Sequence, residues 1–408
     1  MAIQTKQELR SFVKETIRTT PISDIHTHLF TEDFGDMLLW GIDELLTYHY
    51  LVAETLRFHP DLPYESFWAM SKREQADLVW QTLFLDHSPY SEACRGVLTV
   101  LNRLGLDVAS RDLESYRAFF ASKSTSEYID LIFKLSNVAN VCMTNDPFVD
   151  SERNAWETIQ EVDPRFNTAL RIDPLLMQWE ESTWEKLKGW GYDVEQAVSD
   201  KTVEGIREFL RTWIRKMNPL YMAVSLPPSF RYPEQSARGD IIAKCILPVA
   251  KEFDIPFAMM IGVNKRVNPA LGDAGDSVGL SDVRTVEQIC SLHPDNKFLC
   301  TMLARENQHG LAVAAFLNNP SLIEEMTRMR FELLGTSVTP QHSDCRVLDQ
   351  LLYKWDHSRE IIANVLTDKY ADLLETGWKV KKKEIRRDVS DLFGGAFWRF
   401  LGKENPVK

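Results

Sequence analysis

The pattern of hydrophobic and polar residues changes twice along the chain. Residues 6–19 carry apolar side chains at helical spacing, and residues 21–30 form a short apolar run of strand length. From residue 31 to about residue 130 the apolar positions keep helical spacing, without an intervening strand pattern. This stretch predicts a helical insertion after the first strand.

Short apolar strands then alternate with helical stretches. Several of these strands run into turn-forming pairs such as Asp146-Pro147 and Asp173-Pro174. Strands that are apolar on both faces and alternate with helices are typical of a parallel sheet covered by helices on both sides. Six such strands follow the insertion, at 138–145, 165–172, 221–226, 256–263, 297–303 and 334–340.

The length and this alternation predict an α/β fold, a (β/α)8 TIM-type barrel. We expect one domain over residues 1–408, with a helical insertion at 31–130 and a helical C-terminus after Asp344. The seventh barrel strand has no clear pattern, because the apolar run at 311–317 looks helical. Either that strand is degenerate or residues are missing near 315–318. The second alternative is favoured, since a barrel lacking a strand would expose two unpaired edges.

The composition excludes several classes of function. The hydrophobic content of 44% and charged content of 26% are those of a globular protein, and the net charge of −12 argues against binding to nucleic acid or an anionic membrane. The six cysteines form no C-x-x-C pair, and we find neither a signal peptide nor an apolar run of membrane-spanning length. We expect a soluble cytoplasmic protein with reduced thiols, and the sequence is compatible with a homo-oligomer.

The first predicted strand carries the motif Asp24-x-His26-x-His28. Side chains alternate along a strand, so His26 and His28 point the same way and can bind one metal ion. Asp344 follows the last predicted strand and would be the third ligand, because the first and last strands of a closed barrel are neighbours. His342 is an alternative third ligand. The alternatives to a metal site are that the two histidines are polar residues on the solvent-exposed face of an edge strand, and that Asp344 only caps a helix.

Only one metal ion is expected. The strand at 221–226 contains no lysine that could bridge two ions, and the strands at 257–263 and 297–303 contain no histidine. A single divalent ion at the carboxyl ends of the strands would leave coordination positions for substrate oxygens.

The stretch Asp24–Phe30 resembles the first-strand signature of the amidohydrolase superfamily. Three further stretches resemble its uronate isomerase branch: 43–50, 272–276 and 336–346, the last with His342-x-Asp344-x-Arg346. The resemblance extends over nearly the whole chain, including the ending at 398–400. One departure is that nothing at 310–320 matches the family's seventh strand, which ends in tryptophans beside the substrate.

That family interconverts D-glucuronate with D-fructuronate and D-galacturonate with D-tagaturonate. The resemblance implies one divalent metal, commonly zinc, at His26, His28 and Asp344. It also implies that Asp344 removes the C2 proton through an enediol, that Tyr50 donates a proton at C1, and that Arg346 polarises the carbonyl oxygen.

By the same resemblance, His49 and Arg171 would contact the hexuronate. The residues alone leave alternatives open: Tyr50 as a core tyrosine, and Arg171 as the partner of Asp173 in a turn. Two other functions also remain open, a mononuclear metal-dependent hydrolase and a catalytically inactive relative that binds metal or sugar.

Overall fold

The structure, a computed structural model, describes residues 2–177, 179–308 and 320–407. Six parallel strands form one sheet in the spatial order β1-β2-β3-β4-β5-β8, and β6 pairs with β7 in a short antiparallel hairpin. The strands are β1 (Ile22–Thr27), β2 (Val138–Asn145), β3 (Phe166–Arg171), β4 (Met222–Leu226), β5 (Phe257–Ile261), β6 (Val263–Asn264), β7 (Ser277–Val278) and β8 (Phe298–Met302).

Helices precede, separate and follow these strands. Helix α1 (Lys6–Thr19) leads into β1, and seven helices lie between β1 and β2: α2 (Ile42–Leu46), α3 (His49–Phe58), α4 (Tyr64–Trp68), α5 (Lys72–Trp80), α6 (Glu92–Arg103), α7 (Leu113–Ala121) and α8 (Thr125–Ser136). Between β2 and β8 lie α9 (Asp150–Thr158), α10 (Asp173–Met177), α11 (Glu181–Gly189), α12 (Asp200–Met217), α13 (Ala237–Ile241), α14 (Leu247–Glu252) and α15 (Arg284–Leu292).

After β8 come α16 (Arg305–Gln308), α17 (Pro320–Leu334), α18 (Gln350–Glu375), α19 (Lys382–Ser390) and α20 (Ala396–Leu401). Short 3-10 segments occupy Glu32–Met37, Val108–Ser110 and Pro269–Gly275, and π-helical segments occupy Gln81–Asp86, Ile242–Ile246 and Asp391–Gly395. None of the helices within the described ranges has the length and apolar character to cross a membrane.

The parallel sheet agrees with the strands predicted at 138–145, 165–172, 221–226, 256–263 and 297–303. The prediction of a strand at 334–340 is wrong. Helix α17 ends at Leu334, and Gly335 follows it with a φ of +60°. A glycine with positive φ stops a helix by letting its amide bond back to the last turn, and the Gly335 amide donates to the Phe331 carbonyl. The seventh strand was expected between residues 305 and 334, and the only apolar run there, at 311–317, lies outside the described residues.

The outer edge of β1 is not open. The amide of Asp344 donates to the His26 carbonyl at 3.0 Å, and the amide of His28 donates to the Cys345 carbonyl at 2.7 Å. These two bonds place the segment around Asp344 alongside β1, in the manner of a neighbouring strand. The structure therefore shows an α/β fold with a six-stranded parallel half-barrel, extended at one edge by this segment.

A small apolar core joins the sheet to the C-terminal residues. Cys142, Ala169 and Ala223 from three strands, and Tyr221 directly before β4, pack there with three residues near the C-terminus, Phe397, Trp398 and Leu401. The Trp398 indole donates to the Ser23 hydroxyl at 3.0 Å. The C-terminal helix thus closes the amino end of the sheet, opposite the end where β1 presents His26 and His28.

Gly394 allows this closure, and Gly394→Ala should destabilise the fold. A Cβ at Gly394 would lie 2.7 Å from the Cβ of Ser23, and the φ of +128° is unfavourable for any other residue. We expect a loss of about 2 kcal/mol or more in the free energy of unfolding, measured by urea denaturation. Gly189→Ala is the control, because its Cβ would meet no atom within 4 Å. Equal stability of the two variants would contradict this account of the closure.

Candidate metal centre

Three potential metal ligands converge at the carboxyl end of β1. The Nε2 atoms of His26 and His28 lie 3.5 and 3.2 Å from Oδ1 of Asp344. The ligand atoms of these three residues all lie within 4.8 Å of one another. All three side chains are about one-fifth exposed, so the centre is sheltered but open to a small molecule.

Each imidazole is oriented from behind by a hydroxyl group. The Tyr221 hydroxyl donates to the Ile25 carbonyl at 2.7 Å and lies 3.1 Å from Nδ1 of His26. Because the single hydroxyl proton is already used, Nδ1 must donate to the oxygen. The Nε2 lone pair of His26 is therefore left facing Asp344, which is the tautomer that a metal ligand needs.

The same arrangement occurs behind His28. The Thr144 hydroxyl donates to the Thr27 carbonyl at 3.0 Å and lies 2.9 Å from Nδ1 of His28. The proton again belongs on Nδ1, and Nε2 again carries a lone pair toward Asp344. Both accepting carbonyls belong to β1, so the strand that carries the histidines also fixes their tautomers.

The donor set fits a divalent metal ion. Two imidazole lone pairs and a carboxylate oxygen at these separations repel one another unless a cation lies among them. Two nitrogen ligands and one oxygen ligand suit zinc and similar transition metals, and three protein ligands leave positions for other oxygens.

Electrostatic surroundings keep the histidines neutral and the aspartate ionised. Burial lowers the pKa of His26 well below its usual value and also lowers the pKa of His28. Burial raises the pKa of Asp344, but a proton shared with His28 or His26, together with the charge of Lys354, outweighs it and holds that pKa far below its usual value, so Asp344 is ionised whether a proton or a metal ion lies between it and the imidazoles. All three groups are thus in the protonation state that binds a metal ion.

His342 lies next to His26 but is not part of the cluster. Its ring centroid is 5.1 Å from that of His26, and burial lowers its pKa to about 4. Among the described residues, the group that can hold a metal contains Asp344 as its carboxylate ligand and omits His342.

Tyr50 and His49 lie at the start of α3, in the helical insertion. Tyr50 is 45% exposed, which excludes the alternative of a core tyrosine. Burial of its hydroxyl raises its pKa, the charge of Asp344 raises it further, and the charge of Arg346 lowers it. Tyr50 is therefore protonated at neutral pH and lies within electrostatic reach of both charged residues. His49 is half-buried, with its ring 4.4 Å from that of Tyr50.

Arg171 is the last residue of β3. It is paired with Asp173, which is the alternative that the sequence left open for this turn. Its Nε and Nη2 atoms donate to the two carboxylate oxygens of Asp173 at 3.1 and 2.9 Å. Within the described chain, its Nη1 atom has no hydrogen-bond partner. Burial is the largest cause that lowers the pKa of His26 and His28, and the charge of Arg171 adds to it, so Arg171 lies within electrostatic reach of the candidate metal ligands.

The sequence did not reveal the residues that support the ligands. Thr144 and Tyr221 orient the imidazoles, and the buried carboxylate of Asp24 accepts from the Ser343 amide at 3.0 Å and the Trp355 indole at 2.8 Å. Hydroxyl side chains inside otherwise apolar strands are the signal that would have pointed to Thr144 and Tyr221.

Removing one orienting hydroxyl should weaken metal binding. Thr144→Val keeps the shape of the side chain but leaves Nδ1 of His28 without its acceptor, so we expect a loss in zinc affinity of about 10- to 100-fold. Competition with a chromogenic chelator measures the affinity. Thr168→Val is the control, because Thr168 is also buried in a strand and bonds a backbone carbonyl, that of Met217. Unchanged zinc affinity in Thr144→Val would show that the hydroxyl does not orient a ligand.

Comparison with solved structures gives matches over nearly the whole chain. A uronate isomerase from Bacillus halodurans is 54% identical with a TM-score of 0.97, and the match covers 99% of this chain and 98% of that one. A uronate isomerase from Thermotoga maritima (15% identical, TM-score 0.75) covers 98% of this chain and 100% of its own. A glucuronate isomerase from Caulobacter crescentus (14% identical, TM-score 0.76) covers 98% of this chain and 95% of its own. Because the Thermotoga and Caulobacter proteins are only 15% and 14% identical to this chain, their similarity shows a shared fold and nothing more. No protein-family model and no curated protein sequence matched.

Proposed function

This chain belongs to the uronate isomerase family, and from that membership we propose that it interconverts D-glucuronate with D-fructuronate and D-galacturonate with D-tagaturonate. The reaction moves hydrogen between two adjacent carbons, C2 and C1, through an enediol. It requires a base, an acid and positive charge close to both carbons.

The observation that carries the proposal is the grouping of Asp344, Arg346 and Tyr50 beside the two histidines. Asp344 lies 3.2 Å from His28, and the charges of both Asp344 and Arg346 act on the Tyr50 hydroxyl. We propose that this carboxylate, phenol and guanidinium act together on a substrate bound beside the two histidines. A hydrolase would not need this combination.

We propose that His26, His28 and Asp344 hold one divalent ion, with zinc as the expected metal. When bound, the ion supplies positive charge that holds and polarises the oxygens of the open-chain sugar acid. The orienting hydroxyls of Thr144 and Tyr221 favour this assignment, because they serve imidazoles that use Nε2 as a ligand.

The residues of the chain then divide the proton transfers among them. Asp344 is ionised and takes the proton from C2, while the electron pair of the C–H bond forms the double bond of the enediol. Arg346 stabilises the negative charge that develops on the carbonyl oxygen. Tyr50 keeps its proton because its pKa is raised, and it donates that proton to C1 while the hydroxyl proton on O2 passes to O1. Exchange with solvent then removes the proton from Asp344 and returns one to Tyr50.

His49 and Arg171 complete the site as substrate contacts. A hexuronate carries a carboxylate, and a protein with a net charge of −12 must attract it with locally placed cations. Asp173 holds the Nε and Nη2 edge of Arg171, which leaves Nη1 available for the substrate. His49 adjoins Tyr50 and is suited to a hydroxyl of the sugar.

The scaffold that we propose is a closed (β/α)8 barrel formed by one domain, residues 1–408, with the helices of residues 31–130 as an insertion. The bonds between β1 and the segment around Asp344 support closure at that edge. We also propose a cytoplasmic location, since Cys94, Cys142, Cys245, Cys290, Cys300 and Cys345 are all free thiols.

The test is to incubate the purified protein with D-glucuronate in deuterated water and to follow the sugar by NMR, with zinc added or with metal removed by a chelator. We expect fructuronate that carries solvent deuterium at C1, and much slower turnover without metal. Hydrogen retained from C2 would indicate a shielded transfer or a hydride transfer. Absence of turnover of both glucuronate and galacturonate, with zinc bound, would overturn the proposal.

A further inference from the structure

Asp344 has a backbone conformation that its surroundings must maintain. Its φ is +50°, in the left-handed region, which costs a residue with a side chain about 1–2 kcal/mol relative to the ordinary helical region. The amide of Asp344 is bonded to the His26 carbonyl at 3.0 Å. From this conformation, and with this bond, the carboxylate reaches Nε2 of His26 and His28.

Lys354 contacts the two peptide groups that flank Asp344. It lies in the second turn of α18 and is only 5% exposed. Its ammonium group donates to the Ser343 carbonyl at 2.7 Å and to the Asp344 carbonyl at 3.3 Å. The orientation of the first peptide group sets φ of Asp344, and the orientation of the second sets ψ. One ammonium group therefore restrains both backbone dihedrals of this residue.

The next residue of α18 restrains the same turn from another direction. The Trp355 indole donates to the buried Asp24 carboxylate, which also accepts from the Ser343 amide. Helix α18 is thus connected to the turn by Lys354 directly and by Trp355 through Asp24. An apolar side chain at position 354 would leave the Ser343 and Asp344 carbonyl groups without this donor, and each such loss is costly.

We propose that Lys354 is a positioning residue, which holds Asp344 in the left-handed conformation that brings its carboxylate to the metal centre. This inference rests on the proposed role of Asp344 as a ligand and as the base. Lys354 itself acts through the backbone of Asp344.

The test compares Lys354→Met with Lys369→Met. Both lysines lie on α18, but Lys369 is at the surface, where it pairs with Glu332 and Asp372. For Lys354→Met we expect a zinc affinity reduced by about tenfold or more, a kcat reduced by about 10- to 100-fold and a KM within about threefold of wild type. Lys369→Met should match wild type in all three. Lys354→Arg, which keeps a cation with several donors, should recover part of the zinc affinity.

Zinc affinity is measured by chelator competition without substrate, so it separates this inference from the proposed reaction. A loss of zinc affinity in Lys354→Met supports the inference even if the sugars are not turned over. A variant that is merely less stable to heat, with zinc affinity and kcat unchanged in the folded protein, would overturn it. If Lys354→Met does not fold, Lys354→Gln takes its place: it keeps an N–H donor on a shorter side chain without the charge, so a smaller loss of zinc affinity supports the inference and an unchanged zinc affinity and kcat overturn it.

Discussion

Asp344→Asn is expected to have a kcat at least about a thousandfold below that of the wild type. The asparagine amide cannot accept the C2 proton, and it is a weaker metal ligand than a carboxylate. Two functions are lost in one substitution, which is why this effect should be the largest. The rate is measured with D-glucuronate in the presence of saturating zinc, and zinc affinity is measured separately.

The control is Asp282→Asn, because Asp282 lies near the protein surface and pairs with Arg231 at 3.5 Å. This variant should keep the wild-type kcat and zinc affinity. If Asp344→Asn were folded and retained more than about a tenth of the wild-type kcat, Asp344 would not be the base. Retained zinc affinity with a lost rate would separate the two functions and leave only the role as base.

Tyr50→Phe should lower kcat by about 100-fold and change KM little. Only the hydroxyl is removed, so the ring contacts with Tyr48 and His49 remain. If Tyr50 donates the proton at C1, the variant should also incorporate solvent deuterium at C1 more slowly. Because the side chain is 45% exposed, the melting temperature should stay close to that of wild type.

Tyr90→Phe is the matched control, since Tyr90 is 87% exposed and belongs to the same helical insertion. It should behave as wild type in rate, KM and deuterium incorporation. A Tyr50→Phe variant with an unchanged kcat would assign proton donation to another group. A raised KM with an unchanged kcat would instead make Tyr50 a binding residue.

The sequence predicted the parts of the fold that depend on local patterns. The buried strands and the long helical stretch after β1 have periodicities that neighbouring residues determine. The strand expected at 334–340 was wrong for a local reason as well: a positive-φ glycine ends α17 just where the apolar run was assigned to a strand. The hairpin of β6 and β7 was not predicted, because each strand has two residues and carries no periodic signal.

The candidate ligands were predictable because His26 and His28 occupy alternate positions of one strand. The placement of Asp344 beside them required a barrel argument, and the structure brings it within 3.5 Å of both. The supporting residues could not be found in the same way. Thr144 is 116 positions from His28 and Tyr221 is 195 positions from His26, so only the three-dimensional fold brings each pair together.

The metal centre joins segments that are made at very different times on the ribosome. Residues 24–28 emerge early, whereas Asp344, Lys354 and Trp355 are added more than 300 residues later. Until then β1 lacks the bonds from Asp344 and Cys345, and the last residues to pack on it, around Trp398, come later still. A nascent chain shorter than about 344 residues should therefore bind no zinc at this centre, and zinc capture would be a late marker of completed synthesis.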